Sequence, residues 1–109
     1  LAKLSPEQLE RQLPRQLEQR TPYTITTREQ LLEDLKRIRN EGIAYDREEH
    51  TLGVCAVGAA IRDVFGNLVA ISIPLPSIRF YHNEPYLAAR LLHTCNRIEQ
   101  ELGVREKMK

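Results

Sequence analysis

The stretch VCAVGAAIRDVFGNLVAISIP, residues 54–74, contains two apolar runs separated by a short polar segment. The separating segment, DVFGN, is built from residue types that favour turns. Because neighbouring side chains of a β-strand point to opposite faces, each run can bury one face and leave the other free. The stretch therefore predicts a β-hairpin with strands at 54–62 and 68–74. Pro74 and Pro76 are expected to end the ladder, because proline has no N–H to donate.

The two faces of this hairpin differ in bulk. If the larger side chains of both strands point to the same side of the hairpin, the opposite face carries the smaller side chains and has room for a ligand. A simpler interpretation is that a helix packs closely there, and alternation alone does not separate the two. The hydroxyl of Ser72 and the carboxylate of Asp46 favour a binding site, since such sites are mostly apolar with a few polar groups. The small face consists of Ala56, Gly58, Ala60, Ala70 and Ser72.

Two helices are predicted before the hairpin. Ser5 followed by Pro6 is a typical helix start, and Pro14 is expected to interrupt this first helix. Thr27 with Gln30 predicts a capping box for a second helix, whose apolar stripe is Leu31, Leu32, Leu35 and Ile38 and which ends at Gly42.

A short strand at 43–46 leads from the second helix into an acidic turn. A final helix is expected to begin near Asn83 or Pro85. The aromatic segment before it, SIRFYHNEPY, is interpreted as a loop whose rings fold onto the core. The predicted order is helix, helix, three strands, helix, with an antiparallel sheet and flanking helices, an α+β fold.

Composition limits the functions that this chain can have. Its 109 residues fit one domain, and 16 Lys+Arg against 15 Asp+Glu leave a net charge of +1 without a basic block for nucleic acid. The apolar runs are too short to span a bilayer. Cys55 and Cys95 form neither a disulfide framework nor a zinc pattern, so a reducing, cytoplasmic location is expected. The chain starts without Met, which suggests a piece of a longer protein.

The acidic stretch YDREEH is a candidate for catalysis or metal binding, and Cys55, in the middle of an apolar strand, is expected to be a protonated core thiol rather than a nucleophile. Asp46, Glu48, Glu49 and His50 are ordinary ligand types, yet adjacent residues in an extended segment point to opposite sides. A solvated turn is the preferred interpretation, with Asp46 the exception that can face the small side. We expect no catalytic residue, no metal site and no cofactor. A small enzyme using Asp46 and His50 is the least favoured alternative, since a positioned acid–base partner is missing.

Residues 37–76 carry several motifs in a fixed order. They are Asp46-Arg47-Glu48-Glu49-His50, then Leu52-Gly53-Val54, Asp63-x-x-Gly66 and Ala70-Ile71-Ser72. In this order they resemble the second half of the effector-binding domain of IclR-type bacterial transcriptional regulators. The segments LAKLSPEQLERQL and TITTREQLLEDL are similar to those that precede it in that family.

This resemblance implies a GAF-like domain that binds a small, usually organic-acid metabolite. It implies polar effector contacts at Asp46 and Ser72 and wall positions at Val54 and Ala56. Two departures concern the same pocket: the family's usual cysteine is Ala56 here, and the second serine of its Ser-x-Ser motif is Pro74. The pocket is thus expected to be less polar, suited to a larger or more apolar ligand, or degenerate.

The resemblance also implies partners. The whole chain, residues 1–109, corresponds to one partial effector-binding domain, and the winged helix that binds DNA lies outside it. We expect a small-molecule effector, DNA contact only through that absent winged helix, no membrane, and a homo-dimer or homo-tetramer. The alternatives are an oligomerisation scaffold without a ligand and a stand-alone GAF-like binding domain.

Overall fold

The computed structural model describes residues 1–103 and contains three helices and one three-stranded sheet. The elements in chain order are α1 (Pro6–Gln12), α2 (Arg28–Glu41), β1 (Ala44–Arg47), β2 (Val54–Arg62), β3 (Leu68–Pro76) and α3 (Ser77–Glu101). The sheet is antiparallel throughout, in the order β1-β2-β3. Within the described part of the chain, no helix combines the length and the apolar character needed to cross a bilayer.

Local sequence signals account for the ends of the first two helices. The Ser5 side chain and Gln8 form a capping box at the start of α1, which ends before Pro14. The Thr27 side chain accepts the Gln30 backbone N–H at the start of α2, and Gly42 at its end has φ +79. A side chain would be strained at this left-handed position, which explains the glycine.

The hairpin forms where it was predicted, and its turn is held by one carboxylate. Asp63 accepts the backbone N–H groups of Phe65 and Asn67 at 2.9 and 2.8 Å, as well as the Asn67 amide. Ile61 lies opposite Val69 and Val57 opposite Ile73. The bulky sets of the two strands therefore share one face, as the sequence suggested.

The prediction that Pro74 and Pro76 end the ladder is wrong. Pro74 pairs with Ala56 and Pro76 with Val54, so β3 is as long as β2. The Ser77 N–H donates to the Gly53 carbonyl at 2.9 Å. Because hydrogen-bonded and non-bonded pairs alternate in an antiparallel ladder, both prolines occupy non-bonded positions. Their missing N–H groups would point to the free edge of the sheet, where proline is tolerated.

The prediction for the last helix is also wrong at its start. Helix α3 begins at Ser77 and runs through Pro85, so the aromatic segment is its first two turns rather than a loop. Phe80 is fully buried, whereas Tyr81 and Tyr86 are exposed. Proline in a helix interior costs about 3 kcal/mol, and the burial of a phenylalanine side chain, with about 1.5–3 kcal/mol, offsets much of that cost.

The core lies between the sheet and α3. Its buried members come from the loop before β1, from β2 and from α3, and Ile71, Ile73 and Leu75 of β3 pack against it. Helix α3 packs mainly on β2 and less on β3. All apolar packing on the sheet is therefore directed to one side, here called the helix face. The buried set is Ile43, Cys55, Val57, Ile61, Phe80, Leu91 and Cys95.

Candidate functional site

The opposite side of the sheet, here called the open face, is formed by the even-numbered residues of the three strands. Asp46, Ala56 and Pro74 lie in one row across the sheet, because Asp46 pairs with Ala56 and Ala56 with Pro74. The neighbouring rows contain the remaining members. The open face comprises Ala44, Asp46, Val54, Ala56, Gly58, Ala60, Arg62, Leu68, Ala70, Ser72, Pro74 and Pro76.

All five residues that were singled out for effector binding lie on this open face. Those residues are Asp46, Val54, Ala56, Ser72 and Pro74. Two strand spacings and a shift of two residues separate Asp46 from Ser72, which corresponds to about 12 Å between their Cα atoms. A ligand that contacts both side chains has to span this distance, because the side chains of a strand stand roughly perpendicular to the sheet.

No helix of residues 1–103 covers most of this face. Ala60, Ala70, Ser72 and Pro74 are exposed, and the small residues thus do not serve close helix packing in this part of the chain. Solvent reaches the Ser72 hydroxyl, which makes no side-chain hydrogen bond with any described residue. Among the described residues this hydroxyl is therefore free to bond to solvent or to a ligand.

One of the two carboxylate oxygens of Asp46 accepts a hydrogen bond from a described residue. Its Oδ1 accepts the backbone N–H of Glu49 at 2.8 Å, which fixes the carboxylate at the start of the acidic turn. Its Oδ2 has no hydrogen-bond partner among residues 1–103. One oxygen is thus positioned by the backbone, and the other is available as an acceptor on the open face.

The other carboxylates of the acidic turn bond to the main chain. Glu48 has a left-handed backbone with φ +62, and its Oε1 accepts the Gly53 N–H at 2.7 Å. Glu49 accepts the Arg47 N–H at 3.3 Å, and burial raises the pKa of Glu49, with a further increase from the Asp46 carboxylate. Among the described residues, no three His, Cys, Asp or Glu side chains converge as a metal site. His50 is exposed and contacts Thr51.

Two threonines of the loop before α2 hold this turn, a role that was not recognised in the sequence. Thr21 Oγ1 donates to the Glu48 carbonyl at 2.5 Å, and Thr24 Oγ1 donates to the Glu49 carbonyl. Thr24 Oγ1 also accepts the N–H groups of Arg20 and Thr21. A hydroxyl that both donates and accepts suits this position, and the threonines of the segment RTPYTIT are the only local signal for it.

The helix face of β1 carries a second group that sequence reasoning missed. Arg47 forms an ion pair with Glu84 of α3, which lowers the pKa of the Glu84 carboxyl. The Arg47 guanidinium lies 4.7 Å from the ring centroid of Tyr45, 5.5 Å from that of Phe80 and 5.9 Å from that of Tyr81. Such contacts between a cation and aromatic faces are attractive.

The cysteines belong to the core. Cys55 is fully buried, and its Sγ lies 3.3 Å from Ser77 Oγ. Burial raises the pKa of the Cys95 thiol, which therefore stays protonated.

Comparison of sequences relates this arrangement to known proteins. The family model described as "Bacterial transcriptional regulator IclR C-terminal" matches residues 1–100. The HTH-type transcriptional regulator Rv1719 of Mycobacterium tuberculosis is 50% identical over 99 residues, which cover 91% of this chain and 38% of that protein. The HTH-type transcriptional regulator KdgR of Dickeya chrysanthemi is 34% identical over 85 residues, which cover 76% of this chain and 28% of that protein. The chain therefore spans about a third of the length of these curated relatives.

Solved structures have the same fold. The C-terminal domain of the Escherichia coli transcriptional regulator KdgR superposes with a TM-score of 0.81 at 28% identity, covering 94% of this chain and 65% of that domain. IclR of Thermotoga maritima superposes with a TM-score of 0.74 at 30% identity, covering 89% of this chain and 39% of that one. The expected fold class, α+β and GAF-like with an antiparallel sheet, is confirmed. The relatives are transcriptional regulators and not enzymes.

Proposed function

Because this chain belongs to the IclR family of bacterial transcriptional regulators, as part of the C-terminal regulatory domain, we propose that its open face is one wall of an effector site. A small organic acid lies against this face and changes the affinity of an attached winged helix for DNA. That DNA-binding domain lies outside residues 1–109, in the longer regulator. The regulator works in the cytoplasm, where its DNA is.

One observation carries this proposal. Among residues 1–103, Asp46 Oδ2 and the Ser72 hydroxyl make no hydrogen bond to a protein side chain, and both lie on a surface of mostly small, apolar residues. Ser72 donates its hydroxyl hydrogen to a ligand carboxylate, and Asp46 accepts a hydrogen from a ligand hydroxyl or amide. Ala56 and Pro74 share a row with Asp46 and supply the apolar contact next to it, and Val54 extends this wall on the side away from Ser72.

The composition of the wall restricts the ligand. Ala56 and Pro74 offer no side-chain donor, and Asp46 repels a second anionic group nearby. The carboxylate of the effector is therefore placed towards Ser72, and its apolar part over the row of Asp46, Ala56 and Pro74. This favours an acid with an apolar body over a very small polar acid such as glyoxylate.

The rest of the site comes from outside this chain. Within residues 1–103, β3 is an edge strand, and its N–H groups at Leu68, Ala70 and Ser72 have no partner strand. Such an edge favours pairing with another strand. This chain covers only 65% of the KdgR C-terminal domain, which supports our assignment of residues 1–109 as a partial domain. The remaining part of the domain, or a second copy in a dimer or tetramer, covers the edge and closes the site.

A thermal-shift experiment on the full-length regulator tests the proposal. The probes are sodium salts of glyoxylate, pyruvate, 2-oxobutyrate, 4-hydroxybenzoate and phenylacetate. A probe at 100 times its Kd should stabilise the protein by about 2.7 kcal/mol, a rise in Tm of roughly 5–10 °C for a domain of this class. Asp46→Asn and Ser72→Ala should reduce this rise, while the exposed control Glu33→Gln should retain it.

The competing function is an oligomerisation scaffold that binds no effector. It predicts that no carboxylate shifts the Tm, and that Asp46→Asn and Ser72→Ala, which alter the packed open face, change the size or the stability of the assembly. If a probe does bind but both site variants keep wild-type affinity, the regulator senses acids elsewhere and our placement of the site is refuted.

A further inference from the structure

Neighbouring residues of β1 point to opposite sides of the sheet. Asp46 lies on the open face, and Arg47, the next residue, lies on the helix face. Arg47 pairs with Glu84 of α3 and lies over the rings of Tyr45, Phe80 and Tyr81. A rotation or shift of β1 at Asp46 therefore changes the position of the guanidinium that holds α3.

The other outer strand of the sheet is connected to the same part of α3 by the chain itself. β3 ends at Pro76 and α3 begins at Ser77 without a loop. The Ser77 N–H is still bonded to the Gly53 carbonyl, and its hydroxyl lies 3.3 Å from Cys55 Sγ. The first turns of α3 are thus attached to β3 covalently and to β1 through the Arg47–Glu84 pair.

Pro85 separates these first turns from the rest of α3. It follows Glu84 directly, and its ring nitrogen cannot donate to the Tyr81 carbonyl. Proline is among the few causes of bending within a helix. The remainder of α3 is anchored on its own by Leu91 and Cys95 in the core. The helix therefore consists of two anchored parts with a missing hydrogen bond between them.

We propose that Arg47 and Glu84 are positioning residues that couple the open face to the first two turns of α3, residues 77–84, which pivot at Pro85 when an effector binds. The coupling rests on the proposed function, because it assumes that the open face is where the effector lies. An effector that contacts both Asp46 and Ser72 pulls β1 and β3 towards each other. Both strands are connected to residues 77–84, β3 through the chain and β1 through the Arg47–Glu84 pair. The longer part of α3 stays in place against β2.

Amide hydrogen exchange in the full-length regulator tests the coupling without a ligand. Glu84→Gln should increase the exchange of amides 81–84 about two- to fivefold, the factor that corresponds to one partly exposed ion pair, and leave amides 91–101 unchanged. Glu101→Gln, an exposed acid on the same helix, is the matched control. Pro85→Ala should restore the hydrogen bond from residue 85 to the Tyr81 carbonyl and make the exchange rates of amides 81–84 and 91–101 similar. If amides 81–84 and 91–101 exchange at the same rate in wild type and also in Glu84→Gln, the proposed pivot at Pro85 is refuted.

A second measurement adds the carboxylate that gives the largest Tm rise in wild type. It should protect amides 81–84 in wild type but not in Glu84→Gln or Arg47→Lys, although the Tm rise persists in both variants. Arg79→Lys, an exposed arginine of the same turns, should behave as wild type. Retained protection in Glu84→Gln would refute the coupling. If no carboxylate shifts the wild-type Tm, the proposed function fails, and the ligand-free exchange still decides on the pivot.

Discussion

Gly58 is the position where a single added methyl group tests whether the open face is vacant. It lies in the middle of β2, between Ala44 of β1 and Ser72 of β3. Its backbone does not adopt the left-handed conformation that requires glycine. A Cβ at this position would lie 3.6 Å from the Ile71 carbonyl oxygen and 3.7 Å from Ser72 Cβ, which are ordinary contacts. Residues 1–103 thus supply no steric reason for glycine here.

The expected effect of Gly58→Ala follows from this geometry. Where the native backbone accepts alanine without strain, the substitution stabilises a protein by about 0.4–1 kcal/mol, because the unfolded chain loses conformational freedom. For a complete regulatory domain this corresponds to a rise in Tm of roughly 1–4 °C. The same methyl group occupies space on the open face, so the affinity for a carboxylate effector should fall while stability rises.

Thermal and urea unfolding of the full-length regulator and its variants measure the effect. Gly42→Ala is the matched control, because it is the same chemical change at φ +79, where a Cβ would also lie 3.5 Å from Leu92 Cδ2. This control should lose about 1 kcal/mol or more. A loss of more than about 1 kcal/mol in Gly58→Ala would mean that protein atoms fill the open face tightly in the complete domain. That result would refute the effector site and favour the scaffold.

Further predictions concern the acidic turn, the core and two carboxylates with shifted pKa values, Glu49 and Glu84. Thr24→Val should lower the free energy of unfolding by about 1–3 kcal/mol in urea titrations, because the Glu49 carbonyl and two N–H groups lose their partner. Phe80→Ala, at a fully buried site, should cost about 3–5 kcal/mol in the same assay. Arg47 lowers the folded-state pKa of Glu84, so this pair stabilises the fold above the ordinary carboxyl pKa of about 4.3, and the gain is lost as pH falls through the folded value. Glu84→Gln should therefore lower the free energy of unfolding at pH 7 by less than about 1 kcal/mol, since the pair is partly exposed, with a slightly lower Tm, and should match wild type in acid. Burial raises the folded-state pKa of Glu49, which means that the ionised carboxylate destabilises the fold. Glu49→Gln removes this charge, so it should raise Tm at pH 7 but not below pH ~4, where the carboxyl is protonated. Melting curves between pH 3 and 8 that show the same sign for both variants would contradict this assignment.

Much of the candidate site could be predicted from the sequence because the signals are local. The alternation in β2 and β3 places Ala56 and Ser72 on one face whatever lies around the sheet, and the turn residues set the register between the strands. The start of α3 was missed because Pro85 is a strong helix-breaking signal. Phe80 lies seven residues, or two helical turns, before Leu87. This spacing was the signal for a helix that continues through the proline.

The sequence by itself determined the hairpin, the caps of the first two helices and the two unequal faces of the sheet, because each depends on residues close together in the chain. Only the tertiary structure decided which face α3 covers and which stays open. It also brought Arg47 to Glu84 and the threonines before α2 to the acidic turn. These contacts join residues more than twenty positions apart, and no local pattern encodes such a pairing, since it depends on how whole elements pack.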